Sequence, residues 1–352
     1  MSRIVHIVGT GTIGEPLIGL FSDFREQMGI DEVTFHKRTP LVGDRAKLHH
    51  SMSRGARLAV NSDCVEDFEK LGHKVSFEAD EALARASVVI DCTPAGNANK
   101  DNDYSNLDNV RFLAQGSEFG FGKPYARGVN DDVLDHSLDQ FLQIVSCNTH
   151  NITTLVKTLC EKDGEYDMDS AQFVCIRRAN DITQADKFIP SPQVGGHDDP
   201  EFGTHHARDA YHLFKTQGIE LDMHSSAVKV NTQYMHSIWF HVRRKSEVTL
   251  DEVKQRLLDN PRVAVTQKKN ANLIFSFGRD HGYYGRILSQ TVVVMPTLHV
   301  RRGRDIYGFC FTPQDGNSLL SSIAATLWQM DPDWERVSKL LDPISHLIYQ
   351  EI

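Results

Sequence analysis

The chain lacks most of the features that would classify it at a glance. No stretch approaches the ~18 consecutive apolar residues of a membrane-spanning helix, so no membrane partner is expected. Its 352 residues carry 38 Lys and Arg against 47 Asp and Glu, a formal charge of −9. The basic excess of a general nucleic-acid-binding surface is therefore missing, and no nucleic-acid partner is expected. Cysteines are few: Cys64, Cys92, Cys147, Cys160, Cys175 and Cys310 form no CxxC pair and do not read as a disulfide framework. Seventeen histidines include no HExxH and no Cys/His ligand spacing, so no metal is expected. The adjacent pairs His49-His50 and His205-His206 would splay apart on a strand or a helix. The first residues run straight into a strand pattern without signal-peptide organisation, and with reduced cysteines this points to a cytoplasmic location.

What is present reads first as a nucleotide fold. The length suggests two domains. Residues 3–8 are an apolar run ending in Gly9-Thr10-Gly11-Thr12-Ile13-Gly14, a GxGxxG directly after a strand. A helical pattern follows, with Pro16 in the first turn and Leu17, Leu20, Phe21 and Phe24 on one face. Glycines here permit a tight turn and close backbone approach, and the helix N-terminus faces a pyrophosphate. Further strand-like runs at Glu32–His36, Ser87–Asp91, Val110–Ala114 and Phe141–Val145 alternate with helical stretches, which implies a parallel sheet covered by helices. Ligands of such sheets bind at the carboxyl ends of the strands. The glycine loop, the Thr93-Pro94 loop and the Ser146-Cys147 segment are therefore expected at one crevice.

Cofactor choice is legible at the end of the second strand. An Asp or Glu there binds the 2′-hydroxyl of NAD, whereas a basic residue accommodates the 2′-phosphate of NADP. Lys37-Arg38-Thr39 stands at that end, without a carboxylate. This predicts NADP as the preferred cofactor, with NAD still accepted; a solvated basic turn is the alternative.

Beyond Cys147 an i, i+3, i+4, i+7 stripe of Ile152, Leu155, Val156 and Leu159 predicts a buried helix. Cys147 would begin it, where the helix dipole favours a thiolate; the other reading is a buried structural thiol. Long strand patterns follow at Ala171–Arg177, Ala227–Arg244, Arg262–Gln267, Ile287–Val300 and Tyr307–Thr312. Glu247–Asn260 reads as a helix with Thr249 and Glu252 at capping-box spacing. A mixed or largely antiparallel sheet in an α+β domain is implied. The last ~35 residues return to helix, with Leu319, Leu320, Ile323 and Leu327 on one face. The expected organisation is a Rossmann dinucleotide-binding domain at 1–146, an α+β catalytic domain at 147–312, and C-terminal helices at 313–352 packing back on the first domain.

Taken together, "GTGTIG" (9–14), "DCTPAG" (91–96), "QG" (115–116), "VSCNT" (145–149), "IRRA" (176–179), "THHARDA" (204–210) and "YMHS" (234–237) resemble, in order and approximate spacing, the archaeal-type (type II) phosphorylating glyceraldehyde-3-phosphate dehydrogenases. The resemblance implies a homotetramer that oxidises a phosphorylated aldehyde with inorganic phosphate as second substrate. It implies Cys147 as nucleophile and His236 as base. Beside Gly9, Gly11, Thr12 and Ile13 of the glycine loop, Lys37 and Arg38 after the second strand, and Thr93 and Gly116 at later strand ends, all expected at the cofactor, the resemblance adds Arg178, Gln314 and Asn317. Ser146, Asn148, Thr149, Arg177, His205 and His206 would hold substrate and phosphate. Arg177 and Arg178 point to opposite faces of a strand, so only one is expected to enter a given site directly. His150-Asn151-Ile152-Thr153-Thr154 replaces the usual threonine and glycine after the nucleophile, and Thr149, Thr153 or Thr154 could each supply the phosphate-binding hydroxyl. A related Cys-dependent aldehyde dehydrogenase of the aspartate-semialdehyde type and a non-catalytic dinucleotide-binding regulator are the competing readings.

Overall fold

The alternating apolar runs of the first third build a single sheet in the computed structural model, which describes residues 2–116, 118–181, 188–313 and 315–352. Its elements are β1 (Ile4–Val8), α1 (Gly14–Asp23), β2 (Glu32–His36), α2 (Arg45–Ser53), β3 (Arg57–Val60), α3 (Val65–Lys70), β4 (Phe77–Glu78), α4 (Ala79–Arg85), β5 (Val88–Asp91), α5 (Gly96–Asn102), β6 (Arg111–Gln115), β7 (Lys123–Tyr125) and β8 (Phe141–Ile144). Strand order is β4-β3-β2-β1-β5-β6-β8-β7, with every pair from β4 to β8 parallel. β1 is buried throughout, as befits a central strand covered on both faces. The order reverses between β1 and β5, so a crevice opens at their carboxyl ends.

The second set comprises α6 (Cys147–Cys160), β9 (Glu161–Lys162), β10 (Glu165–Tyr166), β11 (Ser170–Arg177), β12 (Gln193–Val194), α7 (His205–Lys215), β13 (Met223–Lys229), β14 (Ser237–Arg243), α8 (Leu250–Asp259), β15 (Val263–Thr266), α9 (Ala271–His281), β16 (Thr291–Val294), β17 (His299–Arg301) and β18 (Asp305–Phe311). Its mixed sheet runs β12-β13-β11-β14-β18-β16-β15, with β17 beside β18. The predicted stripe of Ile152, Leu155, Val156 and Leu159 is fully buried and shares one core with Phe173, Ile238 and Phe240 of the sheet and Leu213 and Phe214 of α7. The Thr249–Glu252 capping box is present at the start of α8. Two long predicted strands are in fact broken. Ala227–Arg244 divides into β13 and β14 because these pair with opposite edges of β11, one parallel and one antiparallel, which a continuous strand cannot do. Ile287–Val300 divides at a turn over Met295–Thr297, where Pro296 has no N–H for a ladder. Helix α9 was not anticipated; only Ile274 and Gly278 of it are buried.

α10 (Gly316–Met330) and α11 (Trp334–Leu341) close the chain. One compact unit consists of Met1–Lys123, Leu134–Ile144 and Ser321–Ser345; the other of Pro124–Val133, Val145–Leu320 and His346–Ile352. Leu319, Leu320, Ile323 and Leu327 are all buried, as the periodicity of α10 requires.

Candidate functional site

In the first unit a cavity of about 520 Å³ opens where the strand order reverses. Gly9, Thr10 and Gly11 line it from the end of β1, Lys37, Arg38 and Thr39 from β2, and Thr93, Pro94 and Ala95 from β5. Gly9 sits at φ +95°, which an L side chain rarely adopts. A Cβ on Gly14 would lie 2.1 Å from the Gly9 carbonyl oxygen, so only glycine lets the helix start so close to the strand end. A Cβ on Gly11 would meet nothing within 4 Å, leaving that part of the loop open. A close backbone turn, a bare crest and the start of α1 form a cradle that fits the pyrophosphate of a dinucleotide.

The Thr93 loop is shaped by a residue that sequence reasoning missed. Asp91, fully buried at the end of β5, accepts hydrogen bonds from Thr93 Oγ1 (2.6 Å), Thr93 N (2.8 Å), Asn99 Nδ2 (2.7 Å) and Tyr104 Oη (2.7 Å). Lys47, on α2, was also missed. It donates to the Thr10 carbonyl at 3.0 Å and pairs with Asp44, which holds Lys37 at 2.5 Å. Arg38 is exposed and has no ion pair among the described residues. Lys47 stands eleven positions past the end of β2 and reaches back to the glycine loop only once α2 is in place, so spacing alone gave no signal for it. Gly116, at φ +55°, donates to Ile144 O and accepts from Gln143 Nε2. Thr12 and Ile13 complete the glycine loop, Ile13 as the residue preceding α1.

In the second unit Cys147 opens α6, with Ser146 as N-cap: the Ser146 hydroxyl accepts from Thr149 N at 3.3 Å and meets Thr149 Oγ1 at 2.8 Å. Cys147 is half-buried. Desolvation pushes its thiol up to about 12 and Asp315 adds to this, while Arg178 and Arg177 pull the other way. Burial and a neighbouring carboxylate thus oppose the helix N-terminus, whose dipole favours the thiolate by ~1 kcal/mol.

His236 stands just before β14. Its Nδ1 lies 3.1 Å from Asn148 Oδ1. Burial, then Arg178 and Arg177, push its imidazole well below the ordinary histidine range, so the ring is neutral at pH 7. The charges of both arginines lower the pKa of Cys147 and of His236, and β11 ends at Arg177, one residue before Arg178. Arg178 is buried and pairs with Asp181 at 2.6 Å and Asp315 at 3.4 Å.

His205 and His206 begin α7, and their rings do not splay: the centroids are 4.0 Å apart. His206 is buried with neither ring nitrogen hydrogen-bonded. Burial, then His205, Arg177 and His236, hold it neutral, which places these groups in one electrostatic neighbourhood. Among the three candidate threonines, Thr149 is tied to Ser146 and Thr153 donates to Thr149 O at 2.9 Å. The Thr154 hydroxyl is buried and unpartnered. All three lie within an unbroken α6, so the departure after the nucleophile is accommodated as ordinary helix. Asn317 Nδ2 donates to Cys147 O (2.8 Å) and Gln290 O (3.1 Å), bracing the first turn of α6. Gln314 lies outside the described residues. No metal-binding group of His, Cys, Asp and Glu occurs among the described residues, and no helix there is long and apolar enough to cross a membrane.

A parallel sheet of Rossmann order with a glycine cradle, and a separate mixed sheet presenting a cysteine at a helix start, define a two-domain dehydrogenase fold. The sequence is similar to curated proteins named glyceraldehyde-3-phosphate dehydrogenase. That of Metallosphaera sedula is 27% identical over 317 residues, covering 86% of this chain and 85% of the relative. That of Aeropyrum pernix is 29% identical over 279 residues, covering 76% and 74%. That of Methanothermus fervidus is 29% identical over 271 residues, covering 74% and 73%. No family model matches the chain.

Proposed function

We propose that this chain is a phosphorylating, nicotinamide-dependent glyceraldehyde-3-phosphate dehydrogenase that prefers NADP. The observation that carries the reading is the grouping of Cys147, His236, Arg177, Arg178 and His206 in one electrostatic neighbourhood, at the start of α6. The named relatives support the same chemistry.

The glycine loop, Thr93 and Gly116 would hold the dinucleotide, with Lys37 and Arg38 at the 2′-phosphate and Arg178 toward its nicotinamide end, while Asn317, fully buried and hydrogen-bonded through both ends of its amide, would act only by bracing the start of α6. When bound, the nicotinamide supplies the hydride acceptor. The chain handles every proton and negative charge. The resting pair is a neutral thiol and a neutral imidazole, and as Cys147 Sγ attacks the aldehyde carbon the thiol proton passes to the carbonyl oxygen. The new S–C bond converts the carbonyl to a hydroxyl, whose proton His236 takes as base. Backbone N–H groups at the start of α6 and the Asn148 segment would receive the oxyanion that develops. Oxidation leaves a thioester on Cys147. Inorganic phosphate, held among Arg177, His205, His206 and the α6 hydroxyls, adds to that carbonyl; the C–S bond breaks, Cys147 departs as thiolate and is reprotonated, and an acyl phosphate leaves. Sulfur suits both halves, being a strong nucleophile toward an aldehyde and a good leaving group from a thioester. The chain is proposed to act as a homotetramer in the cytoplasm.

The test is reduction of NADP by glyceraldehyde 3-phosphate with and without inorganic phosphate. Phosphate-dependent turnover is expected, abolished in Cys147→Ser by at least ~10³-fold, about 4 kcal/mol of barrier. Turnover that ignores phosphate, or a serine variant keeping a tenth of the rate, defeats the assignment.

A further inference from the structure

The opening of α6 and the ends of β14 and β18 share a hydrogen-bond chain that the reaction scheme above does not use. β14 and β18 pair antiparallel with Ser237 opposite Phe311 and Ile238 opposite Cys310, so His236 and Thr312 are cross-strand neighbours; Thr312 N donates to His236 O at 2.9 Å. Period-two alternation puts Cys310 and Thr312 on one face of β18. On α6, Asn148 and Asn151 are i, i+3 neighbours on one face. The two faces meet. Cys310 Sγ donates to Asn151 Oδ1 (3.2 Å), Asn151 Nδ2 donates to Thr312 Oγ1 (2.9 Å), Thr312 Oγ1 donates to Asn148 Oδ1 (3.0 Å), and Asn148 Oδ1 faces His236 Nδ1 (3.1 Å). Cys310, Asn151, Thr312 and Asn148 are each 2% exposed or less.

The direction of this chain follows from its first member. A neutral thiol has one proton to give; Asn151 Oδ1 at 3.2 Å is the nearer of its two acceptors, Ile238 O lying at 3.8 Å, and this assigns the acceptor end of the Asn151 amide to Cys310 and the donor end to Thr312. The Thr312 hydroxyl, already accepting, turns its own proton to Asn148. That requires the Asn148 oxygen, not its NH2, on this side. An amide oxygen can only accept, so His236 Nδ1 must carry the proton. Turning the Asn148 amide over would aim its NH2 at Thr312 and leave the buried hydroxyl proton without a partner, a cost of ~1–3 kcal/mol.

We propose, resting on the reading of His236 as the base, that Thr312 and Asn151 are positioning residues that set its tautomer. Acting through Asn148, they hold the ring as Nδ1–H and keep the Nε2 lone pair available to take the substrate hydroxyl proton. Asn148 then serves the base rather than the substrate with its side-chain oxygen. The same link orients the ring, because a tautomer fixed by one hydrogen bond also fixes the plane of the imidazole.

The test begins on the wild-type chain, without any variant. Ring ¹⁵N shifts from a long-range ¹H–¹⁵N spectrum, with His236 assigned by its loss in His236→Asn, should show Nδ1 protonated and Nε2 bare; an Nε2–H tautomer overturns the inference. In Thr312→Val the His236 shifts should move toward a mixture of tautomers. The single-turnover rate of cofactor reduction should fall about tenfold, with the aldehyde KM within twofold. Thr312→Ser should restore both. If Thr312→Val reacts at the wild-type rate while His236→Asn is inactive, the network does not position the base. If His236→Asn itself keeps the wild-type single-turnover rate, the reading of the base fails instead, and the wild-type spectrum still decides the tautomer.

Discussion

Lys47 Nζ lies 3.0 Å from the carbonyl oxygen of Thr10, in the middle of the glycine loop, and its ammonium is shared with Asp44. Asp44 also binds Lys37 at 2.5 Å, so two of the three cations near the end of β2 are already matched to one carboxylate. Arg38 is left as the cation open to a 2′-phosphate. Arg38→Ala should weaken NADP binding about tenfold, the loss of one charge-assisted contact of ~1.5 kcal/mol, and leave NAD binding within twofold. Lys37→Ala should do less. Titration calorimetry with each cofactor decides it, and an equal loss for NAD and NADP would remove Arg38 from that role.

Gly14 sits where any Cβ would overlap the Gly9 carbonyl. Gly14→Ala should therefore push α1 off the loop at a cost of ~1–3 kcal/mol and abolish dinucleotide binding. Gly11→Ala, with open space around its Cβ, should fold with wild-type stability. Thermal melting and cofactor fluorescence separate the two, and normal binding by Gly14→Ala would mean the cradle does not hold the pyrophosphate.

Cys147 is half-buried whereas Cys160, Cys175 and Cys310 are buried. Its thiol is held up at about 12 by desolvation and Asp315, so it is protonated at neutral pH. Alkylation by iodoacetamide should therefore accelerate steadily from pH 7 to pH 10 rather than level off near neutrality. Asp315→Asn, which removes the carboxylate that Arg178 pairs with, should raise the rate at pH 8 several-fold. A plateau below pH 8 would show that the thiolate forms more readily than its surroundings imply.

His6 is fully buried in β1, hydrogen-bonded through Nδ1 to Thr34 Oγ1 at 2.7 Å, and burial lowers its pKa to about 3. A histidine lowered on folding contributes stability that is complete above its unfolded value near 6.5 and is lost as pH falls below it. At pH 5 the unfolded chain binds this proton and the folded chain does not. His6→Asn should therefore take up one proton fewer on unfolding at pH 5, flattening the acid limb by about 1.4 kcal/mol per pH unit. Identical slopes in the two proteins would mean that His6 is protonated in the folded state.

Most of the fold was legible because its signals are local. A strand running into Gly9-Thr10-Gly11, a stripe at Ile152 to Leu159 and a capping box at Thr249 each depend on residues within a few positions of one another. The mixed character of the second sheet could be expected, but its breaks could not. Whether residues 227–244 form one strand or two depends on which edges of β11 they occupy, and that is a question of partners far along the chain. The stripe placed Cys147 correctly at the first position of α6, whereas His236, expected within a strand over 227–244, lies just before β14.

What the sequence determined by itself was the inventory: a glycine cradle, cations after the second strand, and a thiol at a helix start. Each rests on spacing along one or two elements, where backbone geometry leaves little choice. Tertiary structure alone decided which groups act on one another. Asp91 gathers the Thr93 loop across an interval of 13 residues. Asp315 sets the charge around Arg178 across 137 residues, and Asn148 meets His236 across 88. Hydrogen bonds and charges act through space over a few ångströms, and only the folded chain makes such distant positions neighbours.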